Sequence, residues 1–248
     1  MTRFLTAILL TILAFTGHGR ADSVNVNGVK RLYTVTCPAT GCGGLPIILG
    51  FHGGFQQPSS FAAAAGFEGH GVQAIMVYPL GRPSLAPTWN VGTVPPSVWA
   101  EDPNNENPIE ELLFIRAILD TLAARYHADL SRVYATGISN GGRMAWRLAC
   151  ETPWLAGMAT VAGTESDAAC APPTPTPILV ISGTGDRIEP FDGGGSGGAG
   201  IPFSIGIDLF RAIGASVTVL RPEGGGHSWA QPGIDTTETI LSAWGMRK

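Results

Sequence analysis

Six short apolar segments, separated by longer polar and helical stretches, constrain the fold of this chain more than any other feature. They occupy residues 45–51, 74–78, 132–136, 157–161, 177–182 and 216–220. None of them alternates apolar and polar residues as a half-exposed strand does, so each is predicted to be a strand covered on both faces. A further segment, 31–36, alternates better and is predicted to be an antiparallel edge strand.

A helix is predicted between the second and third of these strands, over residues 107–126. Asn107 is a suitable N-cap, Pro108 occupies a position where a missing N–H costs nothing, and Glu110 and Glu111 favour the positive end of the helix dipole. Apolar residues then recur every three or four positions, which gives the helix one face to bury. Strands alternating with helices predict a doubly wound, mostly parallel α/β sheet with helices on both faces. Its strands should end on one rim, where a site is expected.

Residues 1–21 have the organisation of an export signal. A basic residue precedes an apolar run over 4–15, and small and polar residues follow it. The run is too short to cross a bilayer as a helix, which takes about 20 residues. We expect removal after Gly19 or Ala21 and a single domain over 22–248 in a secreted protein. A buried N-terminal helix is the alternative.

The four cysteines are an even number, which in an oxidising compartment favours two disulfides. Three pairings are possible, and we favour Cys37–Cys42, closing a small loop, with Cys150–Cys170, closing a longer one. A zinc site is the competing interpretation, but Cys-x4-Cys without a nearby histidine pair has poor ligand spacing. No metal or cofactor is therefore expected.

The charge balance narrows the classes of partner. Lys and Arg number 15 against 19 Asp and Glu, so the chain has no basic surface with which to neutralise phosphates. We expect no nucleic-acid partner, no membrane association after removal of the leader, and a monomer.

The segment 137–141, Gly-Ile-Ser-Asn-Gly, fits the pattern Gly-x-Ser-x-Gly. The pattern alone is weak, because it recurs at 194–198 in a glycine run with no strand before it and no helix after it. Ser139, in contrast, follows the predicted strand 132–136 and precedes a predicted helix over 142–149. Such a turn exposes the serine Oγ at the rim of the sheet, as a nucleophile requires. A helix cap in a non-catalytic turn is the alternative.

A serine nucleophile needs a base, and the base needs an orienting acid. In α/β hydrolases the order is Ser, acid, His, and only His227 follows the serine, just after the last predicted strand. Asp186 closes the strongest apolar run and is the predicted acid. Other carboxylates in the interval follow a strand less directly: Glu165, Asp167, Glu189, Asp192, Asp208 and Glu223. Taken singly, Asp186 could be a surface turn residue and His227 a polar histidine with satisfied hydrogen bonds.

The segment 51–55, Phe-His-Gly-Gly-Phe, follows the first central strand and leaves room for backbone donors. The amides of Gly54 and Asn140 are the predicted oxyanion hole, with an ordinary tight turn as the alternative. His52 is expected to brace this loop rather than transfer protons. The glycine run 193–200 is expected to be a mobile loop near the acid. Two tryptophans are candidates for contact with an apolar substrate, or else for core packing: Trp89 and Trp229.

Four motifs in order carry a resemblance to a known family: His-Gly-Gly at 52–54, Gly-Ile-Ser-Asn-Gly-Gly at 137–142, Gly-Thr-Gly-Asp at 183–186 and Gly-Gly-His-Ser-Trp at 225–229. The chain resembles the secreted esterases grouped as polyhydroxybutyrate depolymerases and feruloyl esterases. The likeness is strongest over 132–150, whose final cysteine pairs in that family with one like Cys170.

This resemblance implies an α/β-hydrolase fold with Ser139 as nucleophile, Asp186 as acid, His227 as base, and Gly54 and Asn140 as oxyanion donors. The chain departs from the family at Glu110-Glu111, where an Asp pair is common, and over 200–216, which is short. We expect no separate polymer-binding domain, which favours soluble or small esters over an insoluble polymer.

The expected function is a secreted serine carboxylic-ester hydrolase that forms an acyl-enzyme with feruloyl-type or polyhydroxyalkanoate-type esters. Its partner would be a small-molecule or polymeric ester. A serine peptidase or amidase on the same fold, and a non-catalytic binding module, are the alternatives.

Overall fold

The computed structural model describes residues 19–82, 87–91, 109–165, 170–197 and 201–247. The predicted cap at Asn107 and Pro108 and most of the predicted leader lie outside the described residues. Within them, no helix is long and apolar enough to span a membrane.

Eight strands form one sheet in the order β1-β2-β4-β3-β5-β6-β7-β8. The strands are β1 (Arg20–Val26), β2 (Val29–Thr36), β3 (Ile47–Phe51), β4 (Ile75–Pro79), β5 (Val133–Ile138), β6 (Leu155–Val161), β7 (Ile178–Ile181) and β8 (Val217–Leu220). Neighbouring strands from β4 to β8 pair in parallel. The predicted doubly wound α/β sheet is therefore confirmed, with all six apolar segments forming strands.

Helices cover both faces of the sheet. They are α1 (Pro58–Ala65), α2 (Ile109–Tyr126), α3 (Asn140–Glu151), α4 (Phe203–Ala212) and α5 (Thr236–Ala243), with a short 3-10 helix at Phe67–His70. One face of the sheet packs a cluster that includes Phe114, Trp146 and Phe210 from α2, α3 and α4. The other packs a cluster with Phe61 and Ile240 from α1 and α5. This double coverage explains why the strand sequences do not alternate.

The segment predicted to be an antiparallel edge strand forms β2, but the prediction that it lies at the edge is wrong. It pairs antiparallel with β4 on one side and with β1 on the other, so β1 is the edge. The β1–β2 turn is Asn27-Gly28, with φ of 51° and 86°, a sequence and geometry typical of a tight hairpin. Sequence reasoning missed β1 because its residues are mostly polar and its start at Arg20 falls within the predicted leader.

Both favoured disulfides are present, which confirms the predicted pairing. Cys37–Cys42 closes a loop after β2, and Cys150–Cys170 ties the end of α3 to the segment that precedes β7. Among the described residues, Cys150, Glu165 and Cys170 form a group whose potential metal-ligand atoms lie within 4.8 Å of one another. Its two sulfurs are joined to each other, so neither is a thiolate that could bind zinc.

Candidate active site

Ser139 occupies a sharp turn between β5 and α3. Its backbone has φ 55° and ψ −125°, a conformation that side chains rarely adopt. The turn fits only because its neighbours are glycines: a Cβ on Gly137 would lie 2.5 Å from Gly141, and one on Gly141 would lie 2.2 Å from the Phe51 carbonyl oxygen. The serine is thus held at the C-terminal end of a central strand, beside the N-terminus of a helix, which is the geometry of a nucleophile elbow.

Asp186 and His227 come together from two neighbouring strands. Asp186 follows β7, His227 follows β8, and His227 Nδ1 donates to Asp186 Oδ2 at 2.9 Å. The other carboxylate oxygen accepts the amides of Ile188 and Glu189, both at 2.9 Å. The Asp186 side chain is wholly buried, whereas the imidazole is 15% exposed. A proton on Nδ1 leaves Nε2 as an acceptor, the state that a general base requires.

Ser139 shares its rim of the sheet with these two residues, since β5, β6, β7 and β8 are neighbours in parallel. Within the described part of the chain, the hydrogen bonds do not include one between Ser139 Oγ and His227 Nε2. Such bonds are often long until a substrate is bound. The structure therefore pairs the predicted acid with the predicted base and places Ser139 on the same edge of the sheet.

The predicted oxyanion donors are neighbours. A Cβ built on Gly54 would lie 3.7 Å from Asn140 Cβ. Asn140 begins α3, and the first amides of a helix have no partner inside it. The Asn140 side chain is fixed by Trp89, whose amide donates to Oδ1 at 2.7 Å and whose carbonyl accepts from Nδ2 at 3.1 Å. Gly54 thus lies in contact with the residue that directly follows Ser139.

His52 holds the loop that carries Gly54. The imidazole is fully buried, with Nδ1 2.8 Å from the Gly53 carbonyl oxygen and Nε2 accepting the Gly81 amide at 2.9 Å. Burial lowers the pKa of His52 below its ordinary value, only partly offset by the bond to Gly53, so the ring stays neutral. Both nitrogens are occupied by backbone groups, which agrees with the expected bracing role.

The two tryptophans pack inside the protein rather than at a substrate surface. Trp89 is fully buried and its Nε1 donates to the His52 carbonyl oxygen at 3.0 Å. Trp229 is 5% exposed, donates to Thr237 Oγ1 at 3.0 Å, and packs edge-on against Phe61. The structure favours the core-packing alternative for both, because each indole N–H has found an internal acceptor.

Phe55 is a candidate that sequence reasoning missed. It follows Gly54, its side chain is 74% exposed, and its backbone has φ 65°. Its amide donates to the Pro87 carbonyl oxygen at 2.8 Å, which fixes the turn. Phe55 therefore presents an exposed aromatic ring, on a backbone in the left-handed region, beside the predicted oxyanion donor. The available signal was the phenylalanine directly after two glycines.

The glycine run lies against the acid-bearing loop, as expected, but its described residues are tightly packed. The Gly197 amide donates to the Ile188 carbonyl oxygen at 2.8 Å. A Cβ on Gly195 would lie 2.2 Å from the same oxygen. Close contact, in addition to chain freedom, therefore accounts for glycine at these positions.

Comparisons with known proteins agree with this fold. No family model matches the chain. A protein of Nocardia uniformis subsp. tsuyamanensis named "Putative esterase NocK" is 41% identical over 102 residues, which are 38% of this chain and 30% of that protein. The chain therefore spans less than a third of the length of that relative.

Solved structures match most of the chain at low identity. Thermogutta terrifontis esterase 2 has a TM-score of 0.62 and 13% identity, covering 96% of this chain and 95% of its own. The acylaminoacyl peptidase of Pyrococcus horikoshii has a TM-score of 0.60 and 14% identity, covering 91% of this chain and 40% of its own. The fold is that of the α/β hydrolases, which esterases and peptidases share.

Proposed function

We propose that this α/β-hydrolase-fold protein is a serine carboxylic-ester hydrolase that works through an acyl-enzyme. The observation that carries the proposal is the strained turn at Ser139, on the same rim as the Asp186–His227 pair bonded at 2.9 Å. A strained backbone persists where the surrounding structure enforces it, and it is concentrated at functional sites. A turn with a purely structural role would not require a buried carboxylate hydrogen-bonded to a histidine on the same rim.

In the proposed reaction, His227 Nε2 takes the proton from Ser139 Oγ as Oγ attacks the ester carbonyl carbon. The amides of Gly54 and Asn140 stabilise the negative charge on the former carbonyl oxygen. His227 then donates its proton to the departing alcohol, leaving an acyl-serine. A water deprotonated by His227 releases the acid and restores the hydroxyl, while Asp186 stabilises the imidazolium in both half-reactions.

Ester cleavage is favoured over amide cleavage by the name of the relative from Nocardia, and the shared fold of acylaminoacyl peptidases supports amide hydrolysis as the second candidate. The motifs shared with polyhydroxybutyrate depolymerases and feruloyl esterases favour a feruloyl-type or hydroxyalkanoate-type acyl group. The exposed ring of Phe55, next to Gly54, supplies an apolar surface for such a group.

We further propose that the protein is exported, with residues 1–21 containing the leader. The two disulfides support an oxidising compartment. Removal after Gly19 would leave β1 whole, whereas removal after Ala21 would take its first two residues. N-terminal sequencing of protein recovered from the medium or periplasm decides between the two sites.

The test of activity is a Ser139→Ala variant with a matched control, Ser196→Ala, taken from the second Gly-x-Ser-x-Gly match. Wild type and Ser196→Ala should hydrolyse p-nitrophenyl acetate and become labelled by a fluorophosphonate at Ser139, as located by mass spectrometry. Ser139→Ala should do neither. Full activity in Ser139→Ala, or labelling elsewhere, would overturn the proposal.

The substrate class needs a panel run on one enzyme batch: methyl ferulate, short-chain nitrophenyl esters, amorphous polyhydroxybutyrate and matched anilides. Faster turnover of the anilides than of the esters would replace the esterase assignment by the amidase. Absence of both labelling and turnover in the wild type would favour a non-catalytic binding module.

A further inference from the structure

Arg143 and Glu189 form a buried ion pair that no step of the proposed reaction uses. Their side chains are 5% and 4% exposed. Arg143 Nη2 donates to Glu189 Oε1 at 2.6 Å, and Nε donates to Oε2 at 3.3 Å. The contact is bidentate, which fixes both the distance and the relative orientation of the guanidinium and the carboxylate.

This ion pair joins the nucleophile turn to two other segments. Arg143 lies in the first turn of α3, where its amide donates to the Ser139 carbonyl oxygen at 3.0 Å. Glu189 Oε2 also accepts the Thr164 amide, beyond the end of β6, at 3.0 Å. Arg143 Nη2 donates in addition to the Gly197 carbonyl oxygen at 2.9 Å. Three loops at the rim are therefore fastened at one point.

Glu189 is directly bonded to the predicted acid as well. Its backbone amide donates to Asp186 Oδ1 at 2.9 Å, while Oδ2 of the same carboxylate holds His227. Because the side chain of Glu189 is clamped by Arg143, its backbone amide is fixed too. The orientation of Asp186, and through it that of His227, thus depends on a contact with the helix that begins at the nucleophile.

Stability alone does not account for a charged pair at this place. Burial raises the pKa of the Glu189 carboxyl above its usual range, although the nearby Arg143 opposes the shift. Removing two charges from water is costly, and apolar side chains of similar volume are often as stable or more so. A bidentate ion pair does, however, fix the orientation of its two side chains and contribute a local electric field, and apolar packing does neither.

We propose that the Arg143–Glu189 pair is a positioning device that sets Asp186 and His227 against Ser139, and that the Glu189 charge adds to the field on the imidazole. This inference rests on the proposed function. Asp186 links the two residues, since one of its carboxylate oxygens accepts the Glu189 amide and the other accepts His227 Nδ1. Other charged groups on the same two loops are exposed, and water screens them: Arg187, Asp192, Arg221 and Glu223.

Glu189→Gln tests the charge with little change of shape, since the amide oxygen can still accept from Arg143 or Thr164. We expect kcat to fall about 10- to 100-fold with KM within about twofold, as for residues that orient a reactive group. With one negative charge fewer near the imidazole, the imidazolium is less stabilised.

The double variant Arg143→Met/Glu189→Met separates positioning from stability, because it removes both charges and leaves neither unpaired. We expect it to melt close to the wild type and to lose kcat as Glu189→Gln does. Glu151→Gln is the matched control: this carboxylate accepts from Arg147 of the same helix at 2.6 Å but lies at the far end of α3. Its kcat, its KM and its His227 resonance should equal those of the wild type.

Two readouts keep this inference distinct from the proposed function. Active sites are counted by fluorophosphonate titration, so that kcat refers only to folded enzyme. The downfield N–H resonance of His227 is followed by proton NMR without substrate, and Glu189→Gln should shift or broaden it. An unchanged resonance together with wild-type kcat per titrated site would overturn the inference. An inactive, unlabelled wild type would overturn the proposed function instead, leaving the NMR comparison to test the pair.

Discussion

Replacing Ser139 by glycine should make the protein more stable than replacing it by alanine. Both variants lack the hydroxyl, and Ser139 makes no side-chain capping bond at the start of α3, so neither loses a bond there. They differ in the Cβ, which φ 55° and ψ −125° disfavour. Such a conformation costs about 1–3 kcal/mol for a residue other than glycine. Glycine in turn raises the entropy of the unfolded chain, at a cost of about 0.4–1 kcal/mol.

The midpoints of these ranges, about 2 and about 0.7 kcal/mol, leave a net gain of about 1.3 kcal/mol for Ser139→Gly over Ser139→Ala. For a domain of this size, about 2–4 °C per kcal/mol converts this gain to about 3–5 °C in Tm. Differential scanning calorimetry with the disulfides intact measures it, and urea unfolding checks it. Asn27→Gly is the control: Asn27 also has positive φ, but asparagine tolerates that region. Little strain is relieved there, so the entropy cost of glycine should make this variant slightly less stable than the wild type, by about 0.4–1 kcal/mol. If Ser139→Gly melts no higher than Ser139→Ala, the turn is not strained.

Three further perturbations test other parts of the structure. Gly141→Ala places a Cβ 2.2 Å from the Phe51 carbonyl oxygen at the end of β3, so it should destabilise the protein by several kcal/mol. A loss of less than about 0.5 kcal/mol in urea unfolding would contradict this close contact between the turn and β3. Removing the Cys150–Cys170 disulfide, whose cysteines are 20 residues apart, should lower the free energy of unfolding by about 3 kcal/mol. Removing Cys37–Cys42, with a separation of 5, should lower it by about 2 kcal/mol. If urea unfolding shows the larger loss for Cys37–Cys42, the loop-entropy explanation is refuted. The pKa of His70 is raised above 6.5, first by its hydrogen bond to the Gly66 carbonyl and then by the Asp235 carboxylate. The stability that protonated His70 contributes is therefore present below pH 6.5 and is lost as the pH rises through the folded-state pKa. His70→Gln should therefore cost more stability at about pH 6 than at about pH 8.5, and an equal cost at both would contradict the assignment.

Much of the sheet could be predicted from sequence, because a strand buried on both faces leaves a run of apolar residues with no alternation. All six such runs became strands, and helices cover both faces. β1 left no such signal: it is an edge strand in which only Val26 is fully buried, so polar residues are tolerated along it. Its pairing is determined by the Asn27-Gly28 turn and by β2, not by hydrophobicity.

The candidate site was predictable as far as chain order and strand ends determine it. Placing Asp186 and His227 after neighbouring strands was enough to bring them into hydrogen-bonding distance. The role of the tryptophans was not predictable, because Trp89 is buried by contacts with residues 37 and 51 positions away. Nor could sequence distinguish the buried partner of Arg143 among the carboxylates between Ser139 and His227, since that contact spans 46 positions.

The order of strands in the sheet has a consequence for a chain still emerging from the ribosome. Ser139 follows the central strand β5, but His227 follows β8, which lies at one margin of the sheet and pairs only with β7. No local fragment can therefore bring Ser139 and His227 together, so under the proposed function a nascent chain would be inactive until β8 docks. Recovery of hydrolysis after dilution from denaturant should accordingly coincide with the docking of β8 and not precede it.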